Sequence, residues 1–334
     1  MENFTDLSQT IKQEVEKANH ILFHFHPSPD ADSVGSVLAL AEACRNLDKK
    51  VTVISGDSDL SAFLAHLPGF KLVTKANYFD LNLADFDLFL ILDSASLEMI
   101  SRQGEVIFPT SLTTAVIDHH ESNTNYGDIN LINKQAGATA EIVFYLLKDW
   151  KVEISKTMAS NLYIGLHSDT GGFKYTSTSA KTLLAGSQLL EINPEASKVV
   201  LEAEQQYSKQ SLVYQGLALS KIETLMSDRI GLIAVSADDL IKNEIKLEDT
   251  EGANLGSNLL SVKNFIVGVT LIEKNPNDCR ISLRSKDYKL ADVSGIAEKL
   301  GGGGHKQASG ASLKIPFTEA KAKLIEVLNR NLRL

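Results

Sequence analysis

The first half of the chain alternates apolar segments with helical ones, and this alternation restricts the fold more than any other feature. Phe86–Asp93, FDLFLILD, is a continuous apolar run, typical of a parallel strand buried on both faces. His20–Pro27, Val51–Gly56 and Thr113–Asp118 are shorter apolar runs, and Asp32–Lys50 carries apolar residues at helical spacing. Strands that alternate with helices indicate βαβ units, so we predict a doubly wound, mostly parallel α/β sheet.

The pattern changes near Asn193, where a polar and mostly helical segment, Glu195–Met226, begins. Beyond it the runs RIGLIAVS, FIVGVTLIE and CRISLRS predict strands, and NPND between the last two predicts a hairpin turn. We therefore expect a sheet domain over residues 1–192, a helical linker over 193–226 and a smaller α+β domain over 227–334, with a cleft between the two domains.

The charge of the chain is negative overall and unevenly distributed. The net charge of −9 argues against a protein that coats long nucleic acid. From Arg280 to the end there are eleven Lys and Arg against five Asp and Glu, a balance of +6, so the remainder carries −15. This division suggests carboxylates that bind cations and bases that bind an anionic substrate, the alternative being a chance excess of solvated basic side chains.

Cysteine content and hydropathy indicate the compartment. The two cysteines, Cys44 and Cys279, are too few for a disulfide framework or a thiolate metal site, so we expect free thiols. No apolar run approaches the length of a membrane span, and the polar N-terminus lacks the features of a signal peptide. We therefore expect a cytoplasmic protein without a membrane partner.

Acidic and imidazole side chains follow the apolar runs, where the strands of a parallel sheet present their ligand-binding edge. The candidates are His24, His26, Asp30, Asp32, Asp93, Asp118, His119, His120 and, at the end of a predicted helix, Asp169. Two carboxylates about 4 Å apart repel each other by roughly 4 kcal/mol at an effective dielectric constant near 20, and a divalent cation removes this repulsion. Oxygen and imidazole ligands without thiolates suit Mn, Fe, Co or Zn.

Each candidate also has a structural explanation when it is considered alone. Asp30 or Asp32 is a suitable N-cap for the following helix, and Asp93 is a suitable cap for a turn. A single histidine such as His119 or His120 is more often a hydrogen-bonded structural residue than a ligand. The arrival of four such segments at one sheet edge favours the metal site.

Six motifs in order resemble those of a known family. HPSPDADSVGS, LDSAS, DHH and DTGGF resemble the four motifs of the DHH phosphoesterase superfamily, and SLRS followed by GGGGHKQASG resembles its DHH-associated C-terminal domain. The chain is similar to the stand-alone two-domain bacterial members. These include nanoRNases that also act on 3′-phosphoadenosine 5′-phosphate, and cyclic dinucleotide phosphodiesterases.

The resemblance implies two divalent cations, usually Mn²⁺, that share one bridging carboxylate. One cation is bound by His26, Asp30 and Asp93. The other is bound by Asp32, Asp93, His119 and Asp169. Two such cations about 3.5–4 Å apart activate a water for in-line attack on phosphorus.

The same resemblance implies roles for the neighbours of the ligands. His120 contacts the substrate phosphate, and Asp118 orients an adjacent imidazole. His24 lies on the strand face of His26 and either supports a ligand or is structural. Family members often have Asn or Arg where this chain has Ser28.

The glycine-rich segment, residues 301–304, is predicted to contact the substrate. One glycine is enough to end the preceding helix, whereas several leave backbone N–H groups open to a phosphate or a base. The predicted substrate contacts are Arg284, Gly302, Gly303, Gly304 and His305.

We therefore expect a metal-dependent phosphodiesterase for small nucleotides: linear dinucleotides such as pApA, nanoRNA, or cyclic di-AMP. The alternatives are a 3′-phosphoadenosine 5′-phosphate phosphatase and a manganese inorganic pyrophosphatase, although GGGGH after SLRS argues against the latter. From another class, a nucleotide sensor with a degenerate site predicts missing ligands, and all the motif ligands are present. By resemblance, the chain is expected to form a homodimer.

Overall fold

The computed structural model describes residues 4–58, 64–204, 208–250 and 253–332, apart from the side chains of Glu204 and His305. The chain divides into two compact units, Met1–Gln206 and Tyr207–Leu334. The segment 193–226, predicted as a linker, is divided between them. Among the described residues, no helix has both the length and the apolar character needed to cross a bilayer.

The first unit contains a six-stranded sheet in which every neighbouring pair is parallel. The strands are β1 (His20–His24), β2 (Lys50–Ile54), β3 (Val73–Thr74), β4 (Leu88–Leu92), β5 (Thr113–Asp118) and β6 (Ile129–Ile132). Their spatial order is β3-β2-β1-β4-β5-β6. The strand order reverses between β1 and β4, which is where an open parallel sheet leaves a crevice for ligands. The predicted doubly wound α/β class is confirmed.

The two faces of this sheet are covered differently. Helices pack on the face that contains Phe23 and Leu90. They are α1 (Phe4–Lys17), α2 (Ala31–Asn46), α3 (Thr139–Asp149), α4 (Lys156–Asp169), α5 (Ala180–Ile192) and α6 (Ala196–Glu204). The opposite face, with Leu22 and Phe89, packs against loops and short 3₁₀ turns, including the one that carries Tyr78. The 3₁₀ turns at Tyr78–Asp80, Leu83–Asp85 and Leu97–Met99 lie on this face, whereas those at Leu64–His66 and Phe70–Leu72 pack with the helices. Burial of β4 on both faces explains its continuous apolar sequence.

Close packing of α2 on α4 fixes the position of the strand-end loops. A Cβ added to Gly35 on α2 would lie 2.2 Å from the carbonyl oxygen of Asn161 on α4. Only glycine therefore permits this helix separation. Because α2 follows β1 directly and α4 ends at Asp169, the contact brings two of the candidate acidic segments to the same edge.

The second unit is a mixed six-stranded sheet with the order β11-β12-β10-β9-β8-β7. The strands are β7 (Ile222–Leu225), β8 (Ile230–Val235), β9 (Val267–Asn275), β10 (Asp278–Ser285), β11 (Gly303–His305) and β12 (Ala308–Leu313). Strands β8 and β9 are parallel and the other pairs are antiparallel. The predicted helical segment ends earlier than expected, because Ile222–Leu225 pairs with β8 as an edge strand.

Helices flank both faces of the second sheet. They are α7 (Lys209–Ser220), α8 (Ala237–Lys242), α9 (Leu255–Leu259), α10 (Ser294–Lys299) and α11 (Phe317–Asn331), with a 3₁₀ turn at Leu247–Thr250. One face packs against α10 and α11 through residues such as Ile281 and Leu324. On the other face α7, α8 and α9 pack around Ile233 on β8.

Candidate functional site

The candidate site lies at the carboxyl edge of the parallel sheet, beyond the ends of β1, β4 and β5. His26 follows β1, Asp93 follows β4, and Asp118 ends β5 immediately before His119. Strands β4 and β1 are direct neighbours, and so are β4 and β5. The loops after these strands therefore place their polar side chains side by side, with the Asp93 segment in the middle.

The first group of candidate ligands consists of His26, Asp30 and Asp93, whose ligand atoms lie within 4.8 Å of one another. The Nδ1 atom of His26 lies 3.1 Å from the carbonyl oxygen of Pro27, which fixes the ring. Its Nε2 atom then lies 3.5 Å from Asp93 Oδ2 and 4.0 Å from Asp30 Oδ1. One nitrogen is anchored and the other is directed at two carboxylates, as expected of a metal ligand.

Asp30 combines this position with a structural function. Its Oδ1 atom accepts hydrogen bonds from the backbone N–H groups of Asp32 and Ser33, both 3.0 Å long, so it is the N-cap of α2. The capping interpretation of this residue and the ligand interpretation are therefore compatible, because a carboxylate has lone pairs for both.

Asp93 is buried and is held in an unusual backbone conformation. Its φ of 55° is in the left-handed region, which is unfavourable for a residue with a Cβ. Its Oδ1 atom accepts a 2.9 Å hydrogen bond from the hydroxyl of Thr139. Although burial opposes ionisation, contact with His26 and the charges of the neighbouring rings lower the pKa of Asp93 to about 2. Asp93 is therefore an ionised carboxylate between two histidines.

The second group consists of Asp32, His119 and Asp169, again with ligand atoms within 4.8 Å of one another. The Nδ1 atom of His119 lies 3.4 Å from the carbonyl oxygen of Ala136. Its Nε2 atom lies 3.1 Å from Asp169 Oδ2 and 3.7 Å from Asp93 Oδ1. This ring also has one nitrogen near a carbonyl oxygen and the other directed at carboxylates.

Asp32, in the first turn of α2, is fully buried and lies against the N-terminus of α3. Its carboxylate accepts hydrogen bonds from the backbone N–H groups of Thr139, at 2.7 Å, and Ala140, at 2.9 Å. The partial positive charge of a helix N-terminus favours a carboxylate at this point. A Cβ added to Gly165 on α4 would lie 2.9 Å from Asp32 Oδ1, so glycine at this position leaves room for the carboxylate.

The surroundings of His119 Nε2 test whether these residues suit divalent cations. Nε2 of His119 is buried and makes no hydrogen bond with any residue that the structure describes, despite the nearby Asp169 oxygen. Burial and the charges of Asp93 and Asp169 raise the pKa of Asp30 to about 6, and they also raise that of Asp32. Crowded carboxylates around a buried imidazole nitrogen that makes no hydrogen bond fit a divalent cation.

Asp118 and His120 form a separate pair beside these groups. Asp118 is fully buried, and its Oδ1 atom lies 2.7 Å from Nδ1 of His120, while its Oδ2 atom accepts a 2.6 Å hydrogen bond from Asn123. The hydrogen bond to Asp118 raises the pKa of His120. Nδ1 of His120 also lies 3.6 Å from Asp93, so a third possible cluster joins Asp93, His119 and His120. That nitrogen, however, already bonds Asp118.

The two residues without a defined role, His24 and Ser28, lie close to the ligands. His24 is fully buried and packs edge-on against Phe89, and burial lowers its pKa to about 3. It is therefore a neutral ring behind the site. Ser28 has a φ of 60°, and its backbone N–H donates a 2.8 Å hydrogen bond to Ser58, which ties the β1 loop to the loop after β2.

Two residues that the sequence reasoning missed organise the site. Thr139 bonds two candidate ligands, Asp32 through its N–H group and Asp93 through its hydroxyl. Asn123 is buried and bonds Asp118. Asn123 lies in DHHESN, after β5, and Thr139 lies in GATAEI, after β6. For Thr139 the only signal in the sequence was a polar residue at the start of a helix.

The predicted substrate contacts lie in the second unit. Arg284 is on β10, and residues 303–305 form the short edge strand β11, paired with β12. The side chain of His305 lies outside the described part of the chain. A Cβ on Gly302 or Gly304 would collide with β12, whereas a Cβ on Gly303 would meet no atom within 4 Å. Folding alone therefore explains two of these three glycines but not Gly303.

Comparisons with known proteins identify two domains. Residues 20–166 match the DHH family N-terminal domain, and residues 244–333 match the DHHA1 domain. The probable bifunctional oligoribonuclease and PAP phosphatase NrnA of Streptococcus mutans is 26% identical over 307 residues, which is 91% of this chain and 93% of that protein. Its Bacillus subtilis counterpart is 26% identical over 302 residues, 88% of this chain and 89% of that protein.

A solved structure shares the architecture of the whole chain. The crystal structure of an exopolyphosphatase-related protein from Bacteroides fragilis superposes with a TM-score of 0.83 at 26% identity. The match covers 97% of this chain and 96% of that one.

Proposed function

Since the chain belongs to the DHH family of phosphoesterases, with a DHHA1 domain after its DHH domain, we propose that it hydrolyses short linear nucleotides such as pApA and nanoRNA with the help of two divalent cations. The observation that supports this most strongly is the pair of ligand groups at one sheet edge, His26 with Asp30, and His119 with Asp169, on either side of Asp93.

In this proposal the residues divide between two cation sites. His26, Asp30 and Asp93 bind one cation, and Asp32, Asp93, His119 and Asp169 bind the other, with Mn²⁺ as the preferred ion. When bound, such cations neutralise phosphate oxygens and lower the pKa of a water. The chain holds the ligands in place: Asp93 is fixed by Thr139, Asp32 by the start of α3, and both rings by carbonyl oxygens near Nδ1.

His120 faces the substrate phosphate in this proposal. Its Nδ1 bonds the buried Asp118, which leaves Nε2 of a ring that is 40% exposed free to donate to a phosphate oxygen. The hydrogen bond to Asp118 raises the pKa of His120, which favours the protonated ring as a donor. Asp118 positions the ring and does not itself contact the substrate.

The second unit carries the predicted substrate contacts. We propose that Arg284 binds a phosphate or base and that His305 and the backbone N–H groups of residues 302–304 contact the substrate. The open space above Gly303 supports this role, because a glycine there allows close approach of a ligand.

A second activity, on 3′-phosphoadenosine 5′-phosphate, is supported by the bifunctional oligoribonuclease and PAP phosphatase relatives. The nucleotides pApA and 3′-phosphoadenosine 5′-phosphate would both present an adenylate phosphate to this site. We also propose a cytoplasmic location, because Cys44 and Cys279 are both buried free thiols. A homodimer and activity on cyclic di-AMP stay predictions.

The proposal is tested by rates on pApA, a short RNA, cyclic di-AMP and 3′-phosphoadenosine 5′-phosphate, each with added Mn²⁺. The expected result is fastest turnover of a linear oligonucleotide, with none in Asp93→Asn, whose side chain keeps its shape but loses its charge. Tight binding of pApA without turnover would instead indicate a nucleotide sensor. Turnover of inorganic pyrophosphate alone would indicate the pyrophosphatase.

A further inference from the structure

One face of the second sheet is left partly uncovered. The core face packs on α10 and α11. On the opposite face α7, α8 and α9 cover β8, and α9 also lies against Gly268 on β9 and beside Arg284 on β10. Apart from Ile272, the part of that face formed by β9, β10 and β12 carries polar and small side chains. Their register aligns Gly268–Arg284–Ala308, Thr270–Ser282–Gly310 and Ile272–Arg280–Ser312, with Lys274 and Lys314 at the far end.

The charge on this face is positive and mostly uncompensated. Lys314 pairs with Asp278 at 2.7 Å. Lys274 and Arg280, in contrast, form no ion pair with any described residue, and Arg284 donates only to the carbonyl oxygen of its neighbour Leu283. Cations without partners on a sheet face attract anions from solution.

Two adjoining pockets make this face a groove. One has a volume of about 510 Å³ and the other of about 740 Å³, and both are lined by Lys274, Arg280, Ser282 and Arg284. The first also contains Tyr214, which is 1% exposed. The groove is therefore within the usual size of a ligand site and has polar groups to orient a ligand.

The shape of the groove suits an extended chain. Alternate residues of a strand recur about every 6.8 Å, so the rows of Arg284 and Arg280 are roughly 14 Å apart. Successive phosphates of an extended single strand repeat at a distance comparable to the spacing of adjacent rows. The row of Arg280 therefore lies two phosphates beyond the row of Arg284. The small residues Ala308, Gly310 and Ser312 on β12 form a low wall that permits a sugar–phosphate backbone to approach.

We propose that Lys274 and Arg280 form a second anion site, which binds the phosphodiester groups of nucleotides beyond those held at Arg284. The inference rests on the proposed function and specifies its substrate class: single-stranded oligonucleotides longer than a dinucleotide. A dinucleotide held at Arg284 is too short to reach the row of Arg280. The groove thus determines the preference for substrate length.

The test compares the double variant K274Q/R280Q with the matched control K323Q/R330Q. The control removes the same charge from α11, which packs on the other face of the sheet. Binding of labelled hexa-adenylate and of pApA is measured by fluorescence anisotropy in EDTA, over a range of salt concentrations. We expect K274Q/R280Q to bind hexa-adenylate about tenfold more weakly and pApA unchanged. The salt slope for hexa-adenylate should fall by about 1.4, at about 0.7 per lost contact.

Equal losses for both ligands, no loss, or the same loss in K323Q/R330Q would overturn the proposal. The charge-conserving variant K274R/R280K should restore binding, and failure to do so would also count against it. Failure of the proposed function is separate: wild-type protein would then hydrolyse none of the nucleotides, whatever the binding result. Unchanged binding of hexa-adenylate by K274Q/R280Q, with normal turnover of pApA, would reject the second anion site alone.

Discussion

The hydroxyl of Thr139 offers the sharpest test of how the site is held together. It donates a 2.9 Å hydrogen bond to Asp93, and both residues are buried. Thr139→Val removes this hydroxyl but keeps the side-chain shape and the backbone N–H that bonds Asp32. The substitution therefore changes a single contact of the proposed bridging carboxylate.

The expected magnitude follows from the charge of the acceptor. A hydrogen bond to a charged group contributes about 1.5–3 kcal/mol to stability, so Thr139→Val should lower the free energy of unfolding by about that amount. Residues that orient metal ligands typically affect metal affinity or activity by about 10–100-fold. We therefore expect Mn²⁺ half-saturation of turnover to move to concentrations about 10–100 times higher.

Thr182→Val is the matched control. Thr182 is also buried, and its hydroxyl donates a 2.6 Å hydrogen bond to the buried carboxylate of Glu141, which is not a predicted ligand. Urea unfolding in EDTA should show a loss of stability in both variants, whereas Mn²⁺ titration of pApA turnover should shift only for Thr139→Val. An unchanged half-saturation in Thr139→Val, or an equal shift in the control, would refute the positioning role.

Three further predictions follow from pKa values and from packing. Asp118→Asn removes the negative charge of the group that bonds His120 and raises its pKa, so the alkaline limb of the pH–rate profile should move to lower pH. Burial opposes protonation of His26, but contact with Asp93 outweighs this effect and raises the pKa of His26 from 6.5 to about 9. Its contribution to stability in EDTA should therefore be complete below about pH 6.5 and be lost through pH 9, as urea unfolding at several pH values can show. Gly302→Ala would place a Cβ 2.0 Å from a β12 carbonyl and should lower the melting temperature, whereas Gly303→Ala should leave it unchanged.

The parallel sheet could be predicted from sequence because a strand that is buried on both faces is apolar throughout. The run around β4 is apolar throughout since both faces of the strand are covered. Strands β3 and β6 were missed because they are short edge strands with few fully buried residues. The strand β7 was predicted as helix, since an exposed four-residue segment carries little periodic signal.

The candidate ligands could be found from sequence because each ends a strand or helix in a recognisable motif. The residues that hold these ligands in place could not be found from sequence, because they contact the ligands from distant positions in the chain. Thr139 lies 46 residues from Asp93 and 107 from Asp32, and nothing local marks it as their partner. The basic groove was visible only as a charge excess after Arg280, until the register of β10 with β9 and β12 aligned its rows.

The central claim is that two cations, joined by Asp93, are needed for phosphodiester hydrolysis. The most direct measurement is turnover of pApA while Mn²⁺ is titrated into metal-free protein, with bound metal counted by equilibrium dialysis. The account predicts two Mn²⁺ per chain, full turnover only when both are bound, and loss of the second ion together with turnover in Asp93→Asn. Full turnover with one ion per chain, or with none, would contradict it.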